Sequence, residues 1–263
     1  VTSRIGLIGA VRGSPDPAPE LAQLLPPGTS LVAYPSRVAA FPYTPLEQAL
    51  QQIGHADAAF AAAAAGCDAV VIDSVGDYGL AAIRAALNIP AIGAGEAGLA
   101  AAAADCRRFA IVTVWPASMN FIYEGLLAAY GHAQACTGLF NVGAEDALDD
   151  VSGPDGYLAR VYRGENRILG AIGHAIARAC SGGAEAVLLG CTCMSALADR
   201  LTDSAPVPVI NPLRAGVLAA LAAAPAHAPP ARTAHQALVT AMVDAVAAVP
   251  SEPCPVCITG SAP

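Results

Sequence analysis

Three strand-like segments of this chain recur in the same order, and that internal repeat narrows the folds open to it. Arg4-Ile-Gly-Leu-Ile-Gly-Ala-Val11 matches Arg108-Phe-Ala-Ile-Val-Thr-Val-Trp115. Ala69-Val-Val-Ile-Asp-Ser74 matches Ala186-Val-Leu-Leu-Gly-Cys191, and Ile89-Pro-Ala-Ile92 matches Val207-Pro-Val-Ile210. Ala97-Gly98 then falls on Ala215-Gly216. Buried strands are alike in composition, so one match carries little. An ordered set at nearly constant spacing points to a duplicated unit.

Apolar runs ending in Gly or Pro alternate with longer Ala/Leu-rich stretches, which predicts mostly parallel sheets with crossover helices. Strands are expected at Ile5 to Gly9, Ser30 to Tyr34, Ala69 to Asp73 and Ala91 to Gly93. A second set is expected at Ile111 to Thr113, Gly138 to Val142, Ala186 to Gly190 and Val207 to Ile210. Thr44-Pro45-Leu46-Glu47 supplies a capping hydroxyl, a proline at the first helical position and a glutamate at the third. It predicts a long helix to about Cys67. Ala219 to Pro230 reads as a helix end and a loop. A last helix over Thr233 to Val249 is expected to pack back on the first half, making that half discontinuous. The division expected is therefore 1–100 with 212–250, then 101–211, with 251–263 as a tail.

Composition removes several function classes. The chain has 263 residues, enough to bury a core, and a formal net charge of -8. Its 13 basic residues are all arginine. Without lysine there is no pyridoxal-phosphate or Schiff-base chemistry and no Walker-type phosphate loop. Without a basic stripe, no nucleic-acid partner is expected. Apolar residues reach 55%, much of it alanine. No charge-free run reaches the ~18 to 20 residues of a membrane span, so no membrane partner is expected. The opening residues show no basic region followed by an apolar one, and a cytoplasmic protein is expected. Gly93-Ala-Gly95 lacks the third glycine of a dinucleotide fingerprint, and no cofactor is expected. The 8 cysteines are irregularly spaced and read mostly as reduced thiols. Cys254 and Cys257 form an isolated CxxC without a second ligand pair, so no metal is expected.

Duplicated α/β units place ligands beyond the carboxyl ends of their strands. A shared cleft between the halves is thus expected to meet Ser74-Val75-Gly76-Asp77-Tyr78-Gly79 and Cys191-Thr192-Cys193-Met194, with Ser74 and Cys191 as pseudo-symmetric mates. Cys191 precedes an expected helix over Met194 to Leu201, whose dipole and free N–H groups favour thiolate and can hold a carboxylate or enolate oxygen. The bland alternative is a buried, small apolar cysteine. Cys193 reads as a bystander. Arg12 is a candidate carboxylate partner or else a solvent-facing loop residue. Thr113, Trp115 and Ser118 are candidates for the opposite lip. Tyr43 precedes the capped helix, where Thr44 is more simply its cap. Asn211 is a candidate support behind the site, Glu96 a favourable helix-start carboxylate, and all five histidines read as structural.

Leu188-Leu189-Gly190-Cys191-Thr192 resembles the second cysteine motif of the aspartate/glutamate racemase superfamily. The run from Asp68 to Leu80, followed by Ile89-Pro90 and Gly93 to Glu96, looks most like its hydantoin racemase branch. The resemblance runs from Arg4 to about Gly216. It implies two Rossmann-like halves related by a pseudo-dyad, a cofactor-independent racemase or epimerase, and a homodimer or higher homo-oligomer acting on a small molecule. It also implies two cysteines facing each other across the substrate, one removing the α-proton while the other delivers one. Ser74 stands where the first cysteine is expected, and an alcohol is a far weaker acid than a thiol of pKa ~8.5. Four accounts stay open. They are an engineered cysteine replacement, a different base (Asp77, Asp73 or Tyr78), a one-cysteine lyase like the arylmalonate decarboxylase branch, and a silent ligand-binding relative.

Overall fold

The computed structural model describes residues 3–9, 19–38, 40–151, 153, 155–223 and 235–249. Along the chain run β1 (Ser3–Gly9), α1 (Pro19–Ala22), β2 (Thr29–Pro35), α2 (Pro45–Ala64), β3 (Ala69–Asp73), α3 (Leu80–Ala86) and β4 (Ala91–Gly93). These are followed by α4 (Ala94–Ala102), β5 (Phe109–Thr113), α5 (Asn120–Ala129), β6 (Cys136–Asn141), α6 (Tyr157–Arg163), α7 (Asn166–Ser181) and β7 (Ala186–Leu189). The chain continues through α8 (Ala198–Thr202), β8 (Val209–Ile210), α9 (Pro212–Ala222) and α10 (Gln236–Ala247). The described residues form two compact units, one up to Gly93 and resuming at Gly216, the other from Ala94 to Ala215.

Each unit holds one four-stranded parallel sheet, in order β2-β1-β3-β4 and β6-β5-β7-β8. The central strands β3, β5 and β7 are buried along their whole length. Helices cover both faces of such sheets, and so these strands read as continuous apolar runs. In the first unit, Ala58, Ala59 and Ala62 of α2 and Ile83 of α3 close over Ile8, Val70 and Ile72. In the second, Ile172, Ile176 and Ala179 form the buried face of α7, which packs on β5, β6 and β7.

The repeat extends to individual hydrogen bonds. Arg4 and Asp68 exchange two: the Arg4 N–H donates to the Asp68 carboxylate at 2.7 Å, and the Asp68 N–H to the Arg4 carbonyl at 2.7 Å. Arg108 and Glu185 repeat the clip at 2.9 and 2.7 Å. The N–H groups of Val70 and Val187 donate to the carbonyls of Pro90 and Pro208, each at 2.9 Å. Identical start points for β1, β3 and β4, and for β5, β7 and β8, fix equivalent end points. Those ends carry the candidate residues.

The helix starting after Thr44 has its full capping box, with the Glu47 side chain accepting from the Thr44 N–H at 2.9 Å. It ends at Ala64, three residues before the expected Cys67. α10 is shorter than its expected range and packs on α2. Arg37 pins it by bonding both Asp57 of α2, at 2.9 Å, and Asp244 of α10. Among the described residues, no helix is long and apolar enough to cross a membrane.

Candidate active site

In the first unit the end of β3 turns sharply. Ser74 is half-buried, and its Oγ accepts the N–H of Gly76 at 3.1 Å. Asp77 then takes a left-handed backbone (φ 46°), a conformation that Asp tolerates better than most residues. Its buried carboxylate lies over Gly93 at the end of β4, where a Cβ would sit 2.3 Å from Asp77 Oδ2. Gly93 is therefore required for this carboxylate to occupy the strand end. Val75 and Tyr78 are buried beside it, and the Tyr78 ring lies against Gly76. Tyr43, by contrast, is 42% exposed and tilts against Phe41 at 4.6 Å between ring centroids.

Beneath this loop lies His55 of α2. Its ring stacks on Tyr78 at 5.6 Å, and its Nε2 closes on Gly9, whose φ of +112° and lack of Cβ allow the approach. Burial pushes the His55 pKa down to about 4, so the imidazole is neutral at physiological pH. An unfolded histidine protonates near pH ~6.5. Between these values the unfolded chain binds the extra proton, so stability is full above about pH 6.5 and falls as pH drops toward 4. Loss is expected to approach about 3 kcal/mol. Urea unfolding at pH 7.5 and pH 5 is the check, and a His55→Leu chain should lose measurably less between the two. Equal losses in both chains would assign the pH effect elsewhere.

In the second unit the equivalent strand end carries Cys191. It is half-buried, with extended backbone, and its Sγ accepts the N–H of Cys193 at 3.1 Å. That is the same bond, from residue i+2, that Ser74 makes with Gly76. Local hydroxyl- or sulfur-to-backbone turns of this kind aim a side chain while satisfying an N–H. Cys191 is joined to Cys193 by a disulfide. The expected helix over Met194 to Leu201 is instead a 3-10 stretch, Thr192–Leu197, that leads into α8. The N-cap position exists, but short 3-10 turns align few peptide dipoles, so the help to a thiolate is local hydrogen bonding more than a macrodipole.

The remaining candidates of this unit are held by residues that sequence reasoning passed over. Thr113 is fully buried, with its hydroxyl 2.5 Å from the Tyr123 hydroxyl and accepting the Trp115 N–H at 3.2 Å. The Tyr123 hydroxyl also lies 2.8 Å from the carbonyl of Gly190, tying the ends of β5 and β7 together one residue before Cys191. Burial pushes that phenol's pKa up, so it stays neutral and hydrogen-bonding. Asn141 donates to the Trp115 carbonyl at 2.9 Å and is braced by Asn120. The Ser118 hydroxyl bonds Glu145 at 2.6 Å. Thr192 is buried. Asn211 caps α9 through the N–H groups of Leu213 and Arg214 and donates to Ser195 Oγ at 2.9 Å, which fixes the turn after Cys191 from behind. Thr113 and Ser118 thus act as framework donors and acceptors within the unit. Arg12, His227 and the Cys254/Cys257 pair lie outside the described residues. A cavity of about 300 Å³ opens beyond the end of β6, lined by Val142, Gly143, Tyr157, Arg160 and Arg167 among others; neither Thr113 nor Cys191 lines it. Among the described residues no cluster of three or more His, Cys, Asp or Glu side chains is arranged to hold a metal.

Two parallel α/β sheets with matched topology, each ending in a hydroxyl or thiol turned by its own i+2 amide, define a duplicated α/β class of protein. The family described as Asp/Glu/Hydantoin racemase matches residues 19–220, and the chain belongs to it. Hydantoin racemase of Rhizobium meliloti is 38% identical over 158 residues, 59% of each chain. Hydantoin racemase of Pseudomonas sp. (strain NS671) is 31% identical over 152 residues, 58% of this chain and 56% of the relative. The matched stretch thus spans rather less than two thirds of these curated relatives. Among solved structures, allantoin racemase from Klebsiella pneumoniae is similar at 26% identity and a TM-score of 0.68, covering 84% of this chain and 87% of that one. An unliganded arylmalonate decarboxylase shares the fold at 18% identity and a TM-score of 0.53, covering 84% and 92% of the two chains.

Proposed function

We propose that this chain is a cofactor-independent racemase or epimerase of a hydantoin-like ring or a related small carboxyl derivative, with the reduced thiol of Cys191 as one acid/base. The carrying observation is Cys191 itself: a half-buried sulfur at a strand end, held by the Cys193 N–H and backed by Tyr123, Asn211 and Ser195. Likeness to the hydantoin racemases supports the substrate class.

The chemistry follows from the α-carbon. A carbonyl next to it accepts the electron pair when the α-proton leaves, and Cys191 thiolate is the base that takes the proton. Of the turn's N–H groups, that of Cys193 is given to Cys191 Sγ and that of Met194 to the Cys191 carbonyl, so the turn serves to hold the sulfur. Reprotonation from the opposite face inverts the centre. The family resemblance implies a second acid/base, and Ser74 is the residue at the equivalent strand end of the first unit. Its hydroxyl is a poor thiolate substitute, so proton transfer by that residue is expected to be slow, and Asp77, Asp73 or Tyr78 is the group that would have to serve instead. A catalytic thiol also calls for a reducing compartment, which fits a cytoplasmic protein.

The test is solvent deuterium uptake at the α-carbon, followed by NMR in heavy water with both enantiomers of 5-substituted hydantoins and of allantoin. Exchange from both enantiomers supports the racemase. Ser74 is the specific observation behind a second reading, a decarboxylase that needs only one thiol to protonate the enediolate left by carbon dioxide. Deuterated monoacid from a substituted malonate, without exchange in any hydantoin, would establish that reading instead.

A further inference from the structure

The Cys193 side chain has no part in the proton chemistry proposed above, yet it is bonded to Cys191. The two Cα atoms are 5.1 Å apart, inside the usual range of about 4.4–6.8 Å for bridged cysteines. The turn that supplies the Cys193 N–H to Cys191 Sγ is the one that brings the sulfurs together. The two residues differ in access. Cys193 is 2% exposed, whereas Cys191 is half-buried and is the sulfur a solute can reach. Other described thiols are less suited to the same chemistry. Cys67 is buried with its Sγ 3.6 Å from the Tyr34 hydroxyl, and burial pushes the pKa of Cys136 and Cys180 up.

We infer that Cys191 and Cys193 form a redox pair that a hydroperoxide closes and a dithiol reopens. Cys191 thiolate attacks one peroxide oxygen; the S–O bond forms, the O–O bond breaks, and the departing oxygen leaves as water or alcohol after taking a proton. Cys193 then attacks the sulfenic sulfur; the S–S bond forms, the S–O bond breaks, and the hydroxyl leaves as water with the Cys193 proton. Two thiols are oxidised by two electrons and one peroxide is reduced. The bridge also shields Cys191 from further oxidation to sulfinic acid, which thiol reductants do not reverse. In the closed form Cys191 has no proton to give and no lone thiolate to take one. That consequence for activity rests on the racemase reading; formation of the bridge does not.

The experiment uses the full chain, reduced and then treated with stoichiometric hydrogen peroxide, with free thiols alkylated before intact-mass and peptide analysis. The expected product has lost two hydrogens, carries two fewer alkyl groups, links Cys191 to Cys193, and returns to the starting mass with dithiothreitol. Cys193→Ser and Cys193→Ala are expected to show no such species with stoichiometric peroxide and, with excess peroxide, to gain oxygens at Cys191 that dithiothreitol does not remove. Oxygen adducts without a bridge in the unmodified sequence, or the same two-hydrogen loss mapped to Cys191 in both variants, would overturn the pair. Should the bridge form while α-proton exchange continues undiminished, the pair stands and the acid/base role of Cys191 falls.

Discussion

Replacing Cys191 with alanine is expected to lower α-proton exchange by about 10²- to 10⁴-fold, the usual contribution of a positioned acid/base. The loss should appear in kcat with little change in KM, because the thiol acts on a proton in flight more than on the bound ring. Folding should be nearly untouched: Cys191 is only half-buried, and its backbone is held by the Tyr123–Gly190 bond and the Asn211–Ser195 brace whatever side chain it carries. Circular dichroism and a melting curve alongside the rate separate the two effects. The parallel prediction is that Cys193→Ala leaves exchange near the starting rate under reducing conditions, since the Cys193 side chain takes no proton in the proposed reaction. Should the alanine chain at 191 exchange as fast as the parent, the thiol chemistry is wrong.

The topology was legible because a buried parallel strand records its position as an unbroken apolar run. Ala69–Asp73 and Ala186–Leu189 could be laid on each other, and the ordered matches around them pointed to a duplicated unit, while the order of strands within each sheet came from the structure. Thr44 and Glu47 were legible for a similar reason: a capping box is local, and all of its atoms lie within four residues. The braces were not. Tyr123 sits in a helix whose sequence gives no sign that its hydroxyl meets Thr113 ten residues earlier and Gly190 far downstream. Asn211 was picked out as a support behind the site, but that it acts through Ser195 needed the structure.

The Cys191–Cys193 contact was not legible because the expected helix began only at Met194, and a two-residue step before it says nothing of where the side chains point. In the structure Cys191 is the extended N-cap of a 3-10 turn that starts at Thr192, and the two sulfurs meet.

Ser74→Cys is expected to raise exchange from both enantiomers, by about 10²-fold or more if a missing acid/base limits the reaction. At neutral pH a thiol near its ordinary pKa of ~8.5 is a few per cent thiolate, a fraction no alcohol approaches. The site is prepared for the change. Ser74 Oγ accepts the Gly76 N–H at 3.1 Å, the distance at which Cys191 Sγ accepts the Cys193 N–H, so a sulfur at position 74 inherits the same turn and a comparable direction. Because enantiomers are equal in free energy, kcat/KM for racemisation must gain equally in both directions, and initial rates from each pure enantiomer at low substrate check that equality. No gain in either direction, in a chain that already exchanges both enantiomers, would mean that the second proton is carried by another group, and Asp77→Asn then becomes the substitution that should stop it.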